Sequence, residues 1–265
     1  MNLFDRLQVT IKHGRSHITL PLAHMLLGSH TDSAFIVAYP RSGSTWLRTM
    51  LCNILIPEAQ GDPRIFNVVI PGVSLRRLPL VRRAREAGYR FVHSHTTYRR
   101  GFSKVLYLVR DGRDALVSQY HYNTTRNGKE MNFPIWFELY RLGLYGKRWH
   151  NHVESWLVQG KSELGSDMLT IRFEDLKQDT LAVMQKVTDF LDIIAPREMI
   201  EQAIRDASIE KSRYWEKKLV GQPKTDNASF YRGGRSKQWK DYFGEKELNQ
   251  FMDMSERTLR LAGYL

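Results

Sequence analysis

Eight consecutive residues, Tyr39-Pro40-Arg41-Ser42-Gly43-Ser44-Thr45-Trp46, bring together what a bound anion needs. They follow an apolar run and open an apolar pattern of helical spacing, so free backbone N–H groups collect at a helix N-terminus. Gly43 permits close backbone approach, Ser44 and Thr45 add hydroxyl donors, and Arg41 adds a charge-assisted pair. The same turn also serves as an ordinary strand-to-helix connection capped by Ser or Thr. It departs from the magnesium-nucleotide pattern G-x-x-x-x-G-K-[ST]. Ala38 stands at the upstream glycine, and Ser44 where a lysine would reach the β- and γ-phosphates. The cation has moved ahead of the glycine, to Arg41. The chemistry indicated is phosphate binding outside the usual metal–ATP arrangement.

Other residues with chemical potential are scattered along the chain. Arg110 to Ser118 (RDGRDALVS) follows a second apolar run, and Phe230 to Lys240 (FYRGGRSKQWK) is basic and Gly-rich. Taken singly, the first is equally a surface turn in which Arg110 pairs with Asp114, and the second a solvated loop. His93 and His95 lie at a strand end, where an imidazole suits either proton transfer or a structural role. Cys52 is the single cysteine, which excludes an internal disulfide, and its apolar neighbours make it a small buried hydrophobe. No zinc, paired-cysteine or EF-hand pattern asks for a metal.

The elements that must position these residues follow from periodicity. Residues 34–39, 90–93, 104–109 and 168–173 read as short buried strands. Helices are expected from Thr45 to Leu55, after an Asp111 or Asp114 cap, from about Phe133 to Leu157, from Leu181 to Leu191, after Pro196, and from Glu245 to Leu261. Residues 61–72 read as a loop with short pieces of structure, 214–230 as a loop, and Ile18 to Leu27 as a packed N-terminal helix. Apolar strands alternating with helices define the class as α/β: a central, mostly parallel sheet flanked by helices. The phosphate loop is its first strand–loop–helix unit. Length and the absence of repeats or linkers make residues 1–265 a single domain.

Together, the segments resemble the cytosolic type of sulfotransferase that uses 3′-phosphoadenosine 5′-phosphosulfate (PAPS), in a divergent, bacterial-type form. Residues 39–46 are similar to its Y-P-K-S-G-T-T-W loop, with Arg41 for lysine; Arg110 and Ser118 match its 3′-phosphate motif. Arg232, Gly234, Trp239 and Lys240 match its R-K-G-x-x-G-x-W-K segment, in which Gly233 replaces a lysine, so that one cationic contact is either lost or supplied by Arg235. The resemblance covers Phe35 to the last helix. It implies a PAPS site made of Arg41, Ser42, Gly43, Ser44, Thr45, Trp46, Arg110, Ser118, Phe173, Arg232, Gly233 and Gly234. Trp46 would stack on adenine, Phe173 stands for a usual tyrosine, and Ile209 for a usual phenylalanine. His95 aligns with the catalytic base, His93 being the fallback, and Arg41 would stabilise the leaving oxygen. The implied reaction is direct in-line transfer of a sulfonate to a hydroxyl or amine, leaving adenosine 3′,5′-bisphosphate (PAP), with no metal required. The family's C-terminal dimer segment is poorly matched after Lys240, so the resemblance implies no oligomeric state.

A formal charge of +12 points to an acidic partner without naming it. A small-molecule kinase with an atypical loop and a basic nucleic-acid-binding module are the competing readings. The first lacks the lysine after Gly43; the second shows no recognisable nucleic-acid motif, so no nucleic-acid partner is expected. No run approaches the roughly 18 apolar residues of a spanning helix, and no secretory leader is evident, so a cytoplasmic protein is expected. A peripheral membrane contact stays open. The acceptor would be a small molecule. Arg76, Arg77, Arg82, Arg83, Arg85, Arg90, Arg99 and Arg100 suggest an acidic one, although a solvated helix face explains them too; Phe133, Trp136, Phe137 and Tyr140 are read as core or as an apolar acceptor lining.

Overall fold

The computed structural model describes residues 33–73, 78–124, 131–221, 223 and 229–265. The expected helix at Ile18 to Leu27, and Arg76 and Arg77, lie outside them. Four strands, β1 (Ala34–Ala38), β2 (Phe91–Ser94), β3 (Lys104–Val109) and β4 (Met168–Arg172), form one sheet in the order β2-β1-β3-β4. Every pairing is parallel. The side-chain period of two splits each central strand between two cores. Phe35, Val37, Tyr39, Val105, Tyr107 and Val109 pack on one face, and Ala34, Ile36, Ala38, Leu106 and Leu108 on the other. Both faces are covered by helices, which is why these strands are apolar throughout.

Helix α1 (Ser44–Leu55) follows the first strand after five residues and buries Leu47, Met50, Leu51 and Ile54 against the second core. Helices α2 (Pro63–Val69) and α3 (Leu78–Glu86) precede β2, and α4 (Gly112–Asn123) follows β3. Of the two expected caps it is Asp111 that starts α4, its carboxylate accepting from the Arg113 amide at 2.9 Å. After β4 come α8 (Phe173–Gln178), α9 (Thr180–Phe190), α10 (Arg197–Asp206), α11 (Ile209–Val220) and α12 (Glu245–Leu261), while α5 to α7 lie before it.

The short piece of structure within residues 61–72 is α2: Asp62 accepts from the Arg64 amide and Pro63 occupies the first helical position. Two expectations are corrected. The single helix expected from Phe133 to Leu157 is broken. Helix α5 (Phe133–Arg141) ends before Gly143 and Gly146, both at positive φ, and α6 (Trp149–Glu154) restarts the chain, continuing through a π-helical stretch (Ser155–Gly160) into α7 (Lys161–Leu164). Residues 214–220, expected as loop, belong to α11, which Ser208 starts by accepting from the Lys211 amide at 3.3 Å.

The aromatics of α5 are core. Phe133, Trp136, Phe137 and Tyr140 are at most 4% exposed and pack with Trp149, Trp156 and Phe243. Burying side chains of this size contributes roughly 1.5–3 kcal/mol each, which accounts for the anchorage of an irregular 133–160 region. Cys52 is buried in α1, and burial pushes its thiol up to about 12. We therefore expect no reaction with a thiol reagent in the native protein at pH 8, and one equivalent after unfolding, read by absorbance of the released chromophore.

Candidate active site

A parallel sheet sends all its strands out at one edge, and here the residues just beyond each end converge. The chain leaves β1 as Tyr39-Pro40-Arg41-Ser42-Gly43, β2 as His95, β3 as Arg110 and β4 as Phe173. A cavity of about 820 Å³ lies at this edge, lined among others by Arg41, Thr45, Trp46, Arg110, Ser118 and Phe173. Gly43, Ser44, Arg232, Gly233 and Gly234 complete the expected set on its wall, together with Ile209 from α11. Of the twelve residues expected around a donor, Ser42 alone does not line it; its hydroxyl is buried just beneath, without a hydrogen-bond partner among the described residues.

The phosphate loop has the geometry its residue types suggest. Gly43 caps α1 at φ 96, and a Cβ there would meet the Phe173 ring at 2.4 Å. The Trp46 and Leu47 amides bond back to the Gly43 carbonyl, so those of Ser44 and Thr45 precede the first intrahelical bonds and remain for an anion. Arg41 holds a left-handed φ of 68, a strained conformation for a side-chain-bearing residue. Its Nε donates to Ser118 Oγ at 3.2 Å and its Nη2 to the Phe230 carbonyl at 3.2 Å. The guanidinium lies over the rings of both Phe230 and Tyr122, 4.2 and 5.0 Å from their centroids, in the corner that these two near-perpendicular rings make.

Phe173 is a spacer. It is 5% exposed and fills the room beside both Gly43 and Gly234, where a Cβ would meet it at 2.4 and 2.7 Å. Arg110 lies over its face at 4.5 Å, and Trp46 meets it edge-on. Arg110 is 3% exposed, and burial lowers its pKa against the opposing effect of Asp114 and Glu174. Its Nη1 and Nη2 reach the carbonyls of Arg41 and Arg235, while its buried Nε has no partner among the described residues. Arg232 and Lys177 are lowered too, each first by burial and each also by Arg110. Desolvated cations that depress one another, beside orphaned donors, fit a multiply charged anion.

Three placements were beyond sequence reasoning. Lys177 lines the cavity and donates to the Gly234 carbonyl at 3.0 Å; its sequence signal is a lysine one helical turn after Phe173. Arg235, one of the two alternatives for the contact missing at Gly233, pairs with Asp241 and does not line the cavity. Asp114, read as a surface partner of Arg110, is 1% exposed, and its two oxygens accept from the Lys237 and Trp239 amides at 2.7 and 3.0 Å. It ties the basic Gly-rich segment to the start of α4.

A second cavity of about 670 Å³ adjoins the first. Thr45, His95, Phe230 and Tyr231 line both. His93 lines the second, its ring meeting His95 edge-on at 4.4 Å. His95 Nδ1 lies 2.6 Å from the Ala38 carbonyl; a carbonyl only accepts, so Nδ1 carries the proton and Nε2 the lone pair. The ring opens onto the cleft although protein crowds it on the other sides. That crowding lowers its pKa to about 4; the Ala38 carbonyl opposes the shift, and Arg48 and Arg41 add to it. Water in the cleft tempers the depression, but its direction leaves a neutral imidazole at neutral pH. Among the described residues of the Arg-rich stretch, Arg82, Arg83, Arg90, Arg99 and Arg100 are exposed and do not line either cavity.

An anion cradle beside a neutral imidazole, at the switch point of a parallel sheet, defines an enzyme that transfers a group from a phosphorylated donor. The chain belongs to the family described as the sulfotransferase domain, which matches residues 31–263. It is 25% identical to sulfotransferase 2A6 of Rattus norvegicus over 88% of this chain and 86% of the relative. Identity to human sulfotransferase 2A1 is 28%, over 83% of this chain and 81% of the relative. Among solved structures, mouse sulfotransferase SULT7A1 complexed with PAP superposes with a TM-score of 0.65 at 24% identity, covering 91% of this chain and 92% of that one. A retinol dehydratase in complex with retinol and PAP gives the same TM-score at 23% identity, over 87% and 82%. These two likenesses are of fold. The chain is thus a PAPS-dependent sulfotransferase that moves a sulfonate to small-molecule acceptors and releases PAP. Among the described residues no helix is long and apolar enough to cross a membrane.

Removing the Asp114 grip frees the Gly-rich segment. Asp114→Ala is expected to weaken PAP binding about tenfold, the order of a lost charged hydrogen bond, measured by isothermal titration calorimetry.

Proposed function

We propose that the residues around the larger cavity bind PAPS and that His95 is the general base. Arg41, Ser42, Gly43, Ser44 and Thr45 hold the 5′-phosphosulfate. Arg110, Ser118, Arg232, Gly233 and Gly234 hold the 3′-phosphate, assisted by Lys177. Trp46 and Ile209 flank the adenine, with Phe173 beneath. The observation that carries this reading is the position of His95 on the shared wall of two cavities, with Nδ1 committed to a backbone carbonyl.

The acceptor hydroxyl or amine loses its proton to His95 Nε2 as its oxygen or nitrogen attacks sulfur. The bond from sulfur to the bridging oxygen of the 5′-phosphate breaks, and its electron pair goes to that oxygen, completing PAP. Arg41 offsets the charge developing there, in a field set up before the reaction begins. The resulting imidazolium is balanced by the bisphosphate beside it.

The acceptor cavity supports an apolar molecule bearing an anionic group. Phe66, Val73, Leu219 and Val220 supply an apolar wall. Arg48, also on the wall, donates to the Ile70 carbonyl at 2.6 Å, and the Glu216 carboxylate accepts from Ser229 and Phe230. Lys147 is a second cation on this wall among the described residues; burial, then Arg99, lowers its pKa, a tension that a carboxylate or sulfate on the acceptor relieves.

His95→Ala should reduce turnover of PAPS with phenolic and steroidal alcohols by about 10²–10⁴-fold while thermal stabilisation by PAP persists. Loss of PAP stabilisation in a folded variant would make His95 a donor-binding residue. Because its pKa is lowered, the base stays neutral to lower pH than an ordinary histidine; kcat/KM should stay level as pH falls through the ordinary histidine range and drop only below it. Lys147→Ala should lower kcat/KM for carboxylated phenols about tenfold relative to neutral phenols, the loss of one charged contact; equal loss for both would remove the anion preference.

A further inference from the structure

We propose that Glu216, on the wall of the acceptor cavity, is a positioning residue for Arg41, acting through Phe230. The inference rests on reading the larger cavity as the donor site. Glu216 lines the smaller cavity yet is only 6% exposed, and both of its oxygens are engaged. Oε2 accepts from Ser229 Oγ at 2.6 Å and Oε1 from the Phe230 amide at 2.7 Å. Phe230 is the residue on which Arg41 rests: its carbonyl takes Arg41 Nη2 at 3.2 Å, and its ring lies 4.2 Å from the guanidinium carbon. Phe230 and Tyr231 line both cavities, so this corner is the partition between donor and acceptor.

The physical argument is one of leverage. Arg41 sits on a strained backbone at the head of the phosphate loop, and its long side chain has many rotamers to lose. Among the described residues, the Ser118 hydroxyl, the Phe230 carbonyl and the near-perpendicular rings of Phe230 and Tyr122 help to select one of them. Two of the contacts belong to Phe230, which lies on no helix or strand and whose backbone amide bonds to the Glu216 carboxylate. A charged acceptor makes a shorter and stronger bond than a neutral one. The other end of the same segment is gripped by Asp114, so Glu216 and Asp114 hold it at Ser229–Phe230 and at Lys237–Trp239. Between the grips lie Arg232, Gly233 and Gly234, whose anion contacts Glu216 does not touch. Loss of Glu216 therefore bears on the part of affinity that runs through Arg41.

The test is a double-mutant cycle on PAP binding, read by isothermal titration calorimetry on wild type, Arg41→Ala, Glu216→Ala and the double variant. Arg41→Ala is expected to weaken PAP about tenfold or more and Glu216→Ala about three- to tenfold, with the double variant within about twofold of Arg41→Ala alone. Glu216→Gln, whose Oε1 still accepts from the Phe230 amide, should bind within about twofold of wild type. A general loss of structure gives neither the non-additivity nor the rescue. Multiplying losses, an unaffected Glu216→Ala, or a Gln variant as weak as Ala would each overturn the proposal. If Glu216→Ala does not fold, Phe230→Ala, which keeps the backbone and removes the ring over Arg41, enters the same cycle with the same expectation. Wild type that fails to bind PAP overturns the donor-site reading and this inference with it, whereas a binding wild type with additive losses sinks the inference alone.

Discussion

Parallel pairing imposes one direction on the four strands, and the chemistry of the molecule is a consequence of that direction. Ala38 of β1 is in register with Leu108 of β3, and Val109 of β3 with Arg172 of β4. The next residues along the chain are therefore neighbours: Arg110 beyond β3, Phe173 beyond β4, and the phosphate loop beyond β1. On the other side of β1, Val37 pairs with Ser94, which brings His95 against the Ala38 carbonyl. The sheet order β2-β1-β3-β4 puts the change of winding direction between β1 and β3, where a crevice opens for a ligand.

The electrostatics of that crevice are unbalanced by design of the fold. Arg110, Arg232 and Lys177 all have their charge disfavoured by burial. The nearby carboxylates bond mainly to the framework: Asp114 to two backbone amides, Asp111 to Arg113, Glu174 to the Asp111 amide and the Tyr264 hydroxyl. Positive potential is thus left for a ligand, while the acids hold the loops that present it. The cost is borne by two large cores, whose strands and helices bury a continuous apolar layer on either side of the sheet.

Division of space follows from one segment. Residues 229–240 line the larger cavity with Arg232, Gly233 and Gly234 and also supply, through Phe230 and Tyr231, a wall of the smaller one. His95 and Thr45 stand at the opening between the two spaces. A reaction that must bring an acceptor oxygen to sulfur while keeping water away needs such a shared wall.

The parts of this protein that its sequence determines by itself are those in which a residue answers to its near neighbours. The strand before Pro40, the glycine that opens α1, the Asp111 cap and the buried runs of β3 and β4 are set by alternation, capping and turn chemistry, all interactions over a few residues. The loop geometry of residues 39–46 belongs to this class, as does the histidine at the end of β2. Residues 214–220 read as loop from their polarity yet belong to a helix, because how far a polar helix runs depends on what it packs against. Tertiary structure alone decided the rest. Arg41 meets Phe230 across 189 residues, Asp114 meets Trp239 across 125, and neither contact leaves a trace in the intervening chain. The α5 aromatics became core rather than acceptor lining because the faces of a sheet must be covered before a pocket is left over. Local order is encoded locally, whereas the partner of a buried charge depends on which strand ends the whole fold makes adjacent.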